Sequence, residues 1–329
     1  MSPDVFTSIL NTELMVAKAN AEAIGPAPVE RFCQVIPSTT RVHNFLFDSV
    51  VGDMKEFKGH RTFQKFASDV YPIRNKRFDN TFEVNKDDVD DDQVGVYKLR
   101  PAQIVKKSRR FWQRLALRAL RDGETGLAFD KQPFFSQTHG VGSVAASGVG
   151  AGEGDGNIMT FTAASGDAKS HRIVLVVNDG STEIKPIIIT ERMPVTELMT
   201  DAGTPQAEMN LVYKYWVDAR YGAGYGFWWD ALLIKITNTP TQTELQSYLG
   251  KAEVRLRSFL IDKARAGDDS TALHEELNFN AESVTALFGT GLTNLMRTVL
   301  GADTIVQSGA PVTNMYKGWA FPQPTSYLN

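Results

Sequence analysis

The chain has 329 residues, of which 42% are apolar, and its 35 basic and 38 acidic side chains leave a formal net charge of −3. A chain of this length buries roughly three quarters of its unfolded surface, so a sizeable core in one or two domains is expected. Because the charges nearly balance, the chain as a whole has no net positive charge that would attract nucleic acid or an anionic membrane. Any such binding must come from a local basic patch. Cys33 is the only cysteine, which excludes an internal disulfide and any multi-cysteine metal site.

The N-terminal part predicts an arm. Residues 1–16 lack the basic start and long apolar stretch of a signal peptide, and no apolar run approaches the ~20 residues of a spanning helix. We therefore expect a protein of the reducing cytosol without a membrane partner. Residues 1–40 combine a helical patch with an extended segment containing several prolines, which is typical of an arm lying on another surface.

Residues 44–84 predict a hairpin that cannot stand alone. They read as strands around charged turns, with aromatic side chains scattered among lysines and arginines. A two-stranded hairpin is marginal in water, so another surface must cover its aromatic side chains. The side chains that we expect at this interface are Phe57, Phe63 and Phe66.

Five aspartates crowd residues 87–92. An EF-hand loop fails here, because its glycine and glutamate positions would be occupied by glutamine and leucine. A pair of catalytic carboxylates is harder to exclude, although such a run is more often solvated surface or the start of a helix. We interpret Asp90, Asp91 and Asp92 as helix-start residues.

A basic amphipathic helix follows the aspartates, starting either near Asp90 with a kink or at Pro101. Its predicted packing face comprises Ile104, Phe111, Trp112, Leu115 and Ala119. Its predicted basic stripe comprises Lys107, Arg110, Arg114, Arg118 and Arg121. We expect the helix to end near Asp122 and Gly123, with the glycine as a C-terminal cap.

The remainder of the chain predicts strands followed by helices. The segments RIVLVVNDG, IKPIIITER and FWWDALLIKI read as strands, and the glycine-rich residues 148–154 as a surface loop without a phosphate-loop ending. Residues 243–267 predict a helix opened by a Thr-x-x-Glu cap and closed by Gly267. Residues 283–301 predict a second helix.

An aromatic cluster occupies residues 213–229, and it favours a packed sheet or a subunit interface with Trp228 as an interface residue. Stacking on the bases of a single-stranded nucleic acid is the alternative. An enzyme is a further alternative, although the five histidines are widely separated and no catalytic motif is recognisable. We predict no cofactor and no metal site.

Six segments in series resemble the Mu-like phage major head subunit family. They are VIPSTT at 35–40, NKRFDNTFEVNKDDVDDDQVGVY at 75–97, FDKQPFFSQTHG at 129–140, IKPIIITER at 184–192, VDARYGAGYGFWWDAL at 217–232 and SGAPVTNMYKGWA at 308–320. The sequence departs from the family pattern at SQTH, where a more acidic version is expected, and at LNFNAESVTALF, where a proline-rich strand is expected.

The resemblance implies the α+β capsid fold typified by phage Hong Kong 97. It implies an N-terminal arm at 1–43, an extended loop at 44–84, a peripheral domain with a long spine helix at 85–125, a mainly axial domain at 126–310, and a return to the peripheral domain at 311–329.

The function that the resemblance implies is that of a major capsid protein. Its copies would form the hexamers and pentamers of an icosahedral head shell, assembled in the host cytoplasm and retained in the virion. The implied partners are other copies, a scaffolding protein, a portal, a decoration protein and the packaged double-stranded DNA. The basic stripe would face DNA or an acidic scaffold surface, or else be a solvated face that pairs with acidic residues. Asp90, Asp91 and Asp92 would meet basic residues of a neighbouring subunit.

Overall fold

The computed structural model describes most of the chain. The described ranges are 28–48, 68–85, 110–139, 156–178, 184–199, 211–259, 279–307 and 310–328, with a few single residues between them. Within these ranges the secondary structure is a mixture of two principal sheets, two small ribbons and three α-helices. This composition agrees with the predicted α+β class.

The first sheet contains four strands and carries the longest ones. In chain order its strands are β1 (Cys33–Pro37), β4 (Lys76–Asn85), β7 (Ile187–Met199) and β8 (Val212–Tyr225). They lie in the order β1-β7-β8-β4, with β1 parallel to β7 and the other pairs antiparallel. Strands β7 and β8 lie within 126–310, so that predicted range is not a single structural unit.

Helix α1 (Phe111–Arg121) packs on strands β7 and β8 of this sheet. Ala116 and Leu120 are buried, and the Phe111 ring lies 4.6 Å from that of Phe78 on β4. Of the predicted packing face, Phe111, Trp112, Leu115 and Ala119 are partly buried and pack against the core, which confirms the amphipathic prediction for this part, although the fully buried side chains are Ala116 and Leu120. Ile104 and the alternative starts at Asp90 and Pro101 lie outside the described residues. The predicted end of the helix is also confirmed.

The reason for a glycine after α1 differs from the prediction. Gly123 is not among the glycines with a positive φ, so it does not act as a left-handed cap. It lies in a short 3₁₀ turn and is buried, and an added Cβ would lie 2.7 Å from Cδ2 of Phe135. The close approach of Phe135 is what excludes a side chain here.

Strands β2 (Val42–Asp48) and β3 (Ser68–Arg74) form a separate two-stranded antiparallel hairpin. The predicted hairpin over 44–84 is therefore too long at its C-terminal end, because the residues from Lys76 onward pair with β8 in the four-stranded sheet. The apolar alternation of these residues fits a sheet strand as well as a hairpin strand, so the sequence pattern did not separate the two.

The second principal sheet contains five strands. In chain order they are β5 (Ile158–Thr162), β6 (Ser170–Val177), β9 (Ala231–Thr237), β10 (Val284–Gly289) and β13 (Phe321–Thr325). Their order is β13-β10-β6-β9-β5, and β6, β9 and β10 are largely buried. The strands predicted at RIVLVVNDG, IKPIIITER and FWWDALLIKI are confirmed over part of each segment. Strand β6 ends at Val177, β7 begins at Ile187, and Trp228–Asp230 form a 3₁₀ turn before β9.

Helices α2 (Gln242–Arg257) and α3 (Thr293–Gly301) contact the five-stranded sheet. The Thr-x-x-Glu prediction is confirmed, because Thr241 and Glu244 form a reciprocal capping box at the start of α2. The predicted end at Gly267 is wrong, since α2 ends at Arg257. The predicted helix over 283–301 is also wrong in its first part, which is the fully buried strand β10.

The C-terminal segment forms a second ribbon and an edge strand. The ribbon pairs β11 (Thr304–Gln307) with β12 (Ala310–Thr313). Strand β13 pairs with β10, so the tail does not join the sheet that carries α1, although its last turn contacts α1. Among the described helices, none combines the length and the apolar character that crossing a membrane requires.

Candidate assembly surface

The inner face of the β2–β3 hairpin is anchored to the body of the subunit. The Tyr71 hydroxyl donates to the Leu127 carbonyl oxygen at 3.0 Å and accepts from the Tyr225 backbone N–H at 3.2 Å. Ile73, two residues further on, is 2% exposed. Because residues two apart share a strand face, both side chains press the same face of the hairpin onto β8.

Two glycines of β8 make room for this contact. An added Cβ on Gly222 would lie 2.8 Å from Cγ2 of Ile73, and one on Gly224 would lie 2.7 Å from its Cγ1 and closer still to its Cδ1. Neither glycine has a positive φ, so space and not backbone conformation excludes a side chain. The glycines of the YGAGYG segment therefore form the seat for the hairpin.

The base of the hairpin is fixed by a buried polar network centred on Asn75, between β3 and β4. Its side-chain nitrogen donates to Ser38 Oγ at 3.0 Å and to the Thr40 carbonyl oxygen at 2.9 Å. Its side-chain oxygen accepts from the Thr190 hydroxyl at 2.7 Å. Buried polar groups with complete hydrogen bonding specify a single geometry, so this network sets the direction in which the hairpin leaves the subunit.

The outer face of the hairpin is exposed and carries several apolar side chains. Leu46 and Val70 lie directly opposite each other in the register and are 65% and 56% exposed. Val42 and Pro72 lie on the same face and are also exposed. We refer to Val42, Leu46, Val70 and Pro72 as the outer face. The polar side chains of Asn44, opposite Pro72, and Arg74, opposite Val42, are exposed on the same face, so its apolar centre is the pair Leu46 and Val70. Exposed apolar side chains on a two-stranded ribbon are typical of a surface that another protein covers.

The basic stripe of helix α1 is divided by the structure. Lys107, Arg110 and Arg118 are exposed. Arg114 is half-buried, with its guanidinium 5.4 Å from the centre of the Phe111 ring, and Arg121 forms two hydrogen bonds with Asp122 at 2.8 and 3.3 Å. Three of the five predicted side chains thus point to solvent without an anchoring contact of this kind.

The prediction that Trp228 lies at a subunit interface is wrong, because its side chain is wholly buried in the core. Its ring stacks on that of His139 at 4.2 Å and meets Phe259 edge-on at 5.5 Å. Trp228 therefore belongs to the core, where a large ring contributes most. The other predicted interface residues, Phe57, Phe63, Phe66, Asp90, Asp91 and Asp92, lie outside the described residues.

The wider aromatic cluster is also largely internal. Tyr221, Tyr225, Trp228 and Trp229 are buried. Stacking on nucleic-acid bases requires ring faces that the base can reach, and these four rings are not available for it. The packed-sheet interpretation of the cluster is therefore correct for these residues.

The requirement that another surface cover the hairpin's aromatic side chains holds for Tyr71, whereas sequence reasoning missed Leu46, Val70, Ile73 and Asn75. Strict alternation along the two strands could have separated an inner set from an outer set. The long-range contacts of Tyr71 and Asn75 leave no local signal, because their partners lie 35 or more residues away in the chain.

Comparisons with curated proteins identify two relatives. The Mu-like prophage FluMu major head subunit of Haemophilus influenzae is 30% identical over 215 residues, which cover 65% of this chain and 68% of the relative. The major capsid protein of Escherichia phage Mu is 28% identical over 211 residues, which cover 64% of this chain and 67% of the relative. The resemblance noted in the sequence is confirmed.

Solved structures agree with the fold. The bacteriophage JBD30 capsid matches with a TM-score of 0.70 at 18% identity, covering 93% of this chain and 92% of that one. The same phage's capsid decorated with minor capsid protein trimers matches with a TM-score of 0.69 at 19% identity and the same coverage. The fold is therefore the Hong Kong 97-type capsid fold. The family model for the Mu-like prophage major head subunit gpT matches residues 9–259, and the chain belongs to this family of tailed-phage major head subunits.

Proposed function

We propose that copies of this capsid subunit associate through the outer face of the β2–β3 hairpin, closing into hexamers and pentamers that tile an icosahedral shell around double-stranded DNA. The observation that carries this proposal is the exposed pair Leu46 and Val70 on a hairpin whose opposite face is anchored. Assembly would take place in the host cytoplasm, and the product is the capsid of the virion.

The inner face of the hairpin is anchored to the subunit, whereas its outer face is left exposed to solvent. A two-stranded ribbon has too little core to be stable in water, and burial of an apolar side chain contributes roughly 1.5–3 kcal/mol. An interface formed by one patch on another part of the next copy is heterologous, and repeated rotation closes such contacts into rings. The outer face supplies one half of such an interface.

The test is the double substitution Leu46→Asp and Val70→Asp. Two buried charges in the interface should abolish capsomers and shells while leaving the circular dichroism of the subunit unchanged. Val254→Asp is the matched control, because Val254 is 53% exposed on helix α2 and its substitution should leave assembly intact. Normal shells from the double variant would refute the hairpin contact.

The domain assignment follows from the two principal sheets. The four-stranded sheet with α1 would form the peripheral domain with its spine helix, and the five-stranded sheet with α2 and α3 would form most of the axial domain. The support is the packing of α1 on β7 and β8 and the pairing of β4 with β8. The arm predicted over 1–43 is too long at its C-terminal end, because Cys33–Pro37 pair with β7 in the four-stranded sheet and the hairpin begins at Val42. The N-terminal part of 1–43 would be the arm, and 44–75 would contain the extended loop.

For DNA or an acidic scaffold, the relevant side chains are Lys107, Arg110 and Arg118. Lys107 and Arg110 precede helix α1 and Arg118 lies on it, and the exposure of all three suits a salt-sensitive and sequence-independent contact with phosphates or carboxylates. Arg110→Glu with Arg118→Glu should lower the DNA content of filled heads, whereas Arg297→Glu, on the exposed side of α3, serves as control. If the heads of the double variant contain the normal amount of DNA, these basic side chains face solvent and do not contact DNA.

The remaining partners are proposals from the family. The JBD30 capsid is decorated with minor capsid protein trimers, so we include a decoration protein among the partners, together with a scaffolding protein and a portal. Phe57, Phe63 and Phe66 remain proposed contact residues of the extended loop. Asp90, Asp91 and Asp92 remain a proposed contact with a neighbouring subunit, and changing all three to asparagine should weaken shell formation without unfolding the subunit.

A further inference from the structure

His139 is a buried titratable side chain that the capsid function does not yet explain. Its side chain is 0% exposed, and its ring is stacked on Trp228 with an interplanar angle of 4°. Its Nδ1 lies 2.7 Å from Oδ2 of Asp130, and its Nε2 lies 3.2 Å from Oδ1 of Asn157. Both ring nitrogens therefore face oxygen atoms.

The orientation of the Asn157 amide is set by its other partners. Its nitrogen faces three backbone carbonyl oxygens, those of Phe134 at 2.9 Å and of Trp228 and Ala231 at 3.1 Å. Its oxygen accepts from the Ser136 backbone N–H at 3.0 Å. Turning the amide over would place its oxygen against three acceptors, so Oδ1 must be the atom that faces His139. An amide oxygen only accepts, and Nε2 of the ring therefore carries a proton.

Asp130 requires a proton on the other ring nitrogen as well. Its Oδ1 accepts from the Gln132 backbone N–H at 3.1 Å, while its Oδ2 faces Nδ1 of His139. A carboxylate has acceptor sites on both oxygens, which matches a donor at each of these two contacts. We propose that His139 is an imidazolium, donating from both nitrogens, and that its ion pair with Asp130 is a latch that holds the loop after helix α1 on the core.

The latched loop reaches the hairpin. Between its two ends the loop is closed by backbone hydrogen bonds from Phe134 to Gly126 and from Ala128 to Gln132. The Leu127 carbonyl oxygen within this loop is the acceptor of the Tyr71 hydroxyl. His139 and Asp130 therefore act as positioning residues for the Leu127 carbonyl group, to which Tyr71 of the hairpin is hydrogen-bonded. The protonation state of His139 does not depend on the proposed function. The effect of the latch on assembly rests on the proposed function.

Asp130→Asn separates an ion pair from a neutral contact of the same shape. An asparagine oxygen can still accept from the Gln132 N–H, and its nitrogen can donate to Nδ1 of His139, which must then lose its proton. Solid-state ¹⁵N spectra of the histidine-labelled full chain report this directly, with His139→Gln identifying the signals. We expect two protonated nitrogens in the unsubstituted protein at neutral pH and one in the variant. One unprotonated nitrogen in the unsubstituted protein overturns the proposal.

Hydrogen exchange measures the latch itself. Asp130→Asn should accelerate exchange of the Leu127 to His139 amides roughly tenfold, because charge-assisted hydrogen bonds are about twice as strong as neutral ones. Asp122→Asn is the control, because this carboxylate is exposed and its ion pair among the described residues is with Arg121 on the surface. Exchange in the Asp130 variant that equals the control overturns the latch. A protein that never assembles would refute the proposed function while leaving both of these measurements valid.

Discussion

The seat of the hairpin on β8 gives a prediction whose size follows from the structure. Gly224→Ala adds a Cβ that would lie 2.7 Å from Cγ1 of Ile73 and 3.1 Å from Cε1 of Tyr71. Ordinary contacts begin at 3.4 Å, so the hairpin has to move away from the sheet by several tenths of an ångström or more. Ile73 is wholly enclosed and cannot turn out of the way.

The expected cost is that of overpacking, about 1–3 kcal/mol, which for a chain of this size lowers the Tm by roughly 2–4 °C if unfolding is cooperative. Assembly should suffer more than stability, because a displaced hairpin presents its outer face in the wrong direction. Gly301→Ala is the matched control. Gly301 ends helix α3 with nothing within 4 Å of an added Cβ, so this change should be neutral or slightly stabilising.

Differential scanning calorimetry of both variants measures the stability, and the yield of capsomers in sedimentation velocity measures assembly. Hydrogen exchange of strand β3 locates the change. If Gly224→Ala matches Gly301→Ala in both Tm and capsomer yield, the glycines are not the seat of the hairpin and the reasoning fails.

Three further predictions concern the described residues. Trp228→Ala should destabilise the subunit by about 3–5 kcal/mol in urea titrations, because it empties a fully buried site. Hydrogen bonds from the Thr239 hydroxyl and backbone N–H lower the pKa of Asp167 to about 2. The contribution of ionised Asp167 to the free energy of unfolding should therefore be fully present above the usual pKa of an aspartate and be lost as the pH falls through about 2. Asp167→Asn should remove this pH dependence. Burial raises the pKa of Cys33 to about 12, so iodoacetamide should label it only after unfolding.

Each of these has a clear contrary result. A loss below about 1 kcal/mol for Trp228→Ala would place the ring outside the core. If stability at low pH changes no more in Asp167→Asn than in the exposed control Asp303→Asn, the hydrogen bonds from Thr239 do not stabilise the ionised Asp167 side chain. Rapid labelling of Cys33 at neutral pH in the folded protein would contradict its burial.

Local patterns predicted the elements whose signals are local. The capping box of Thr241 and Glu244 marks the start of α2, because its two hydrogen bonds join residues three apart. The apolar runs of β6 and β9 predict buried strands, and the end of α1 follows from the residues around Gly123. The order of the six family segments predicted the fold and the function beyond what these local patterns provide.

Features set by distant partners were not predictable. Strand β10 is buried at every position, and a short, largely apolar run lacks a period that distinguishes a buried strand from a helix. The division of 44–84 at Asn75 depends on Ser38 and Thr190, which the sequence does not place nearby. Trp228 appeared suited to an interface because composition does not reveal on which side of a sheet a ring is buried.

Negative-stain electron microscopy of the purified, unsubstituted protein tests self-assembly most directly, with sedimentation velocity on the same sample as a measure of mass. The outer face of the hairpin predicts ring-shaped capsomers or closed shells. A protein that stays monomeric and monodisperse across concentration and salt, while folded by circular dichroism, would contradict the account.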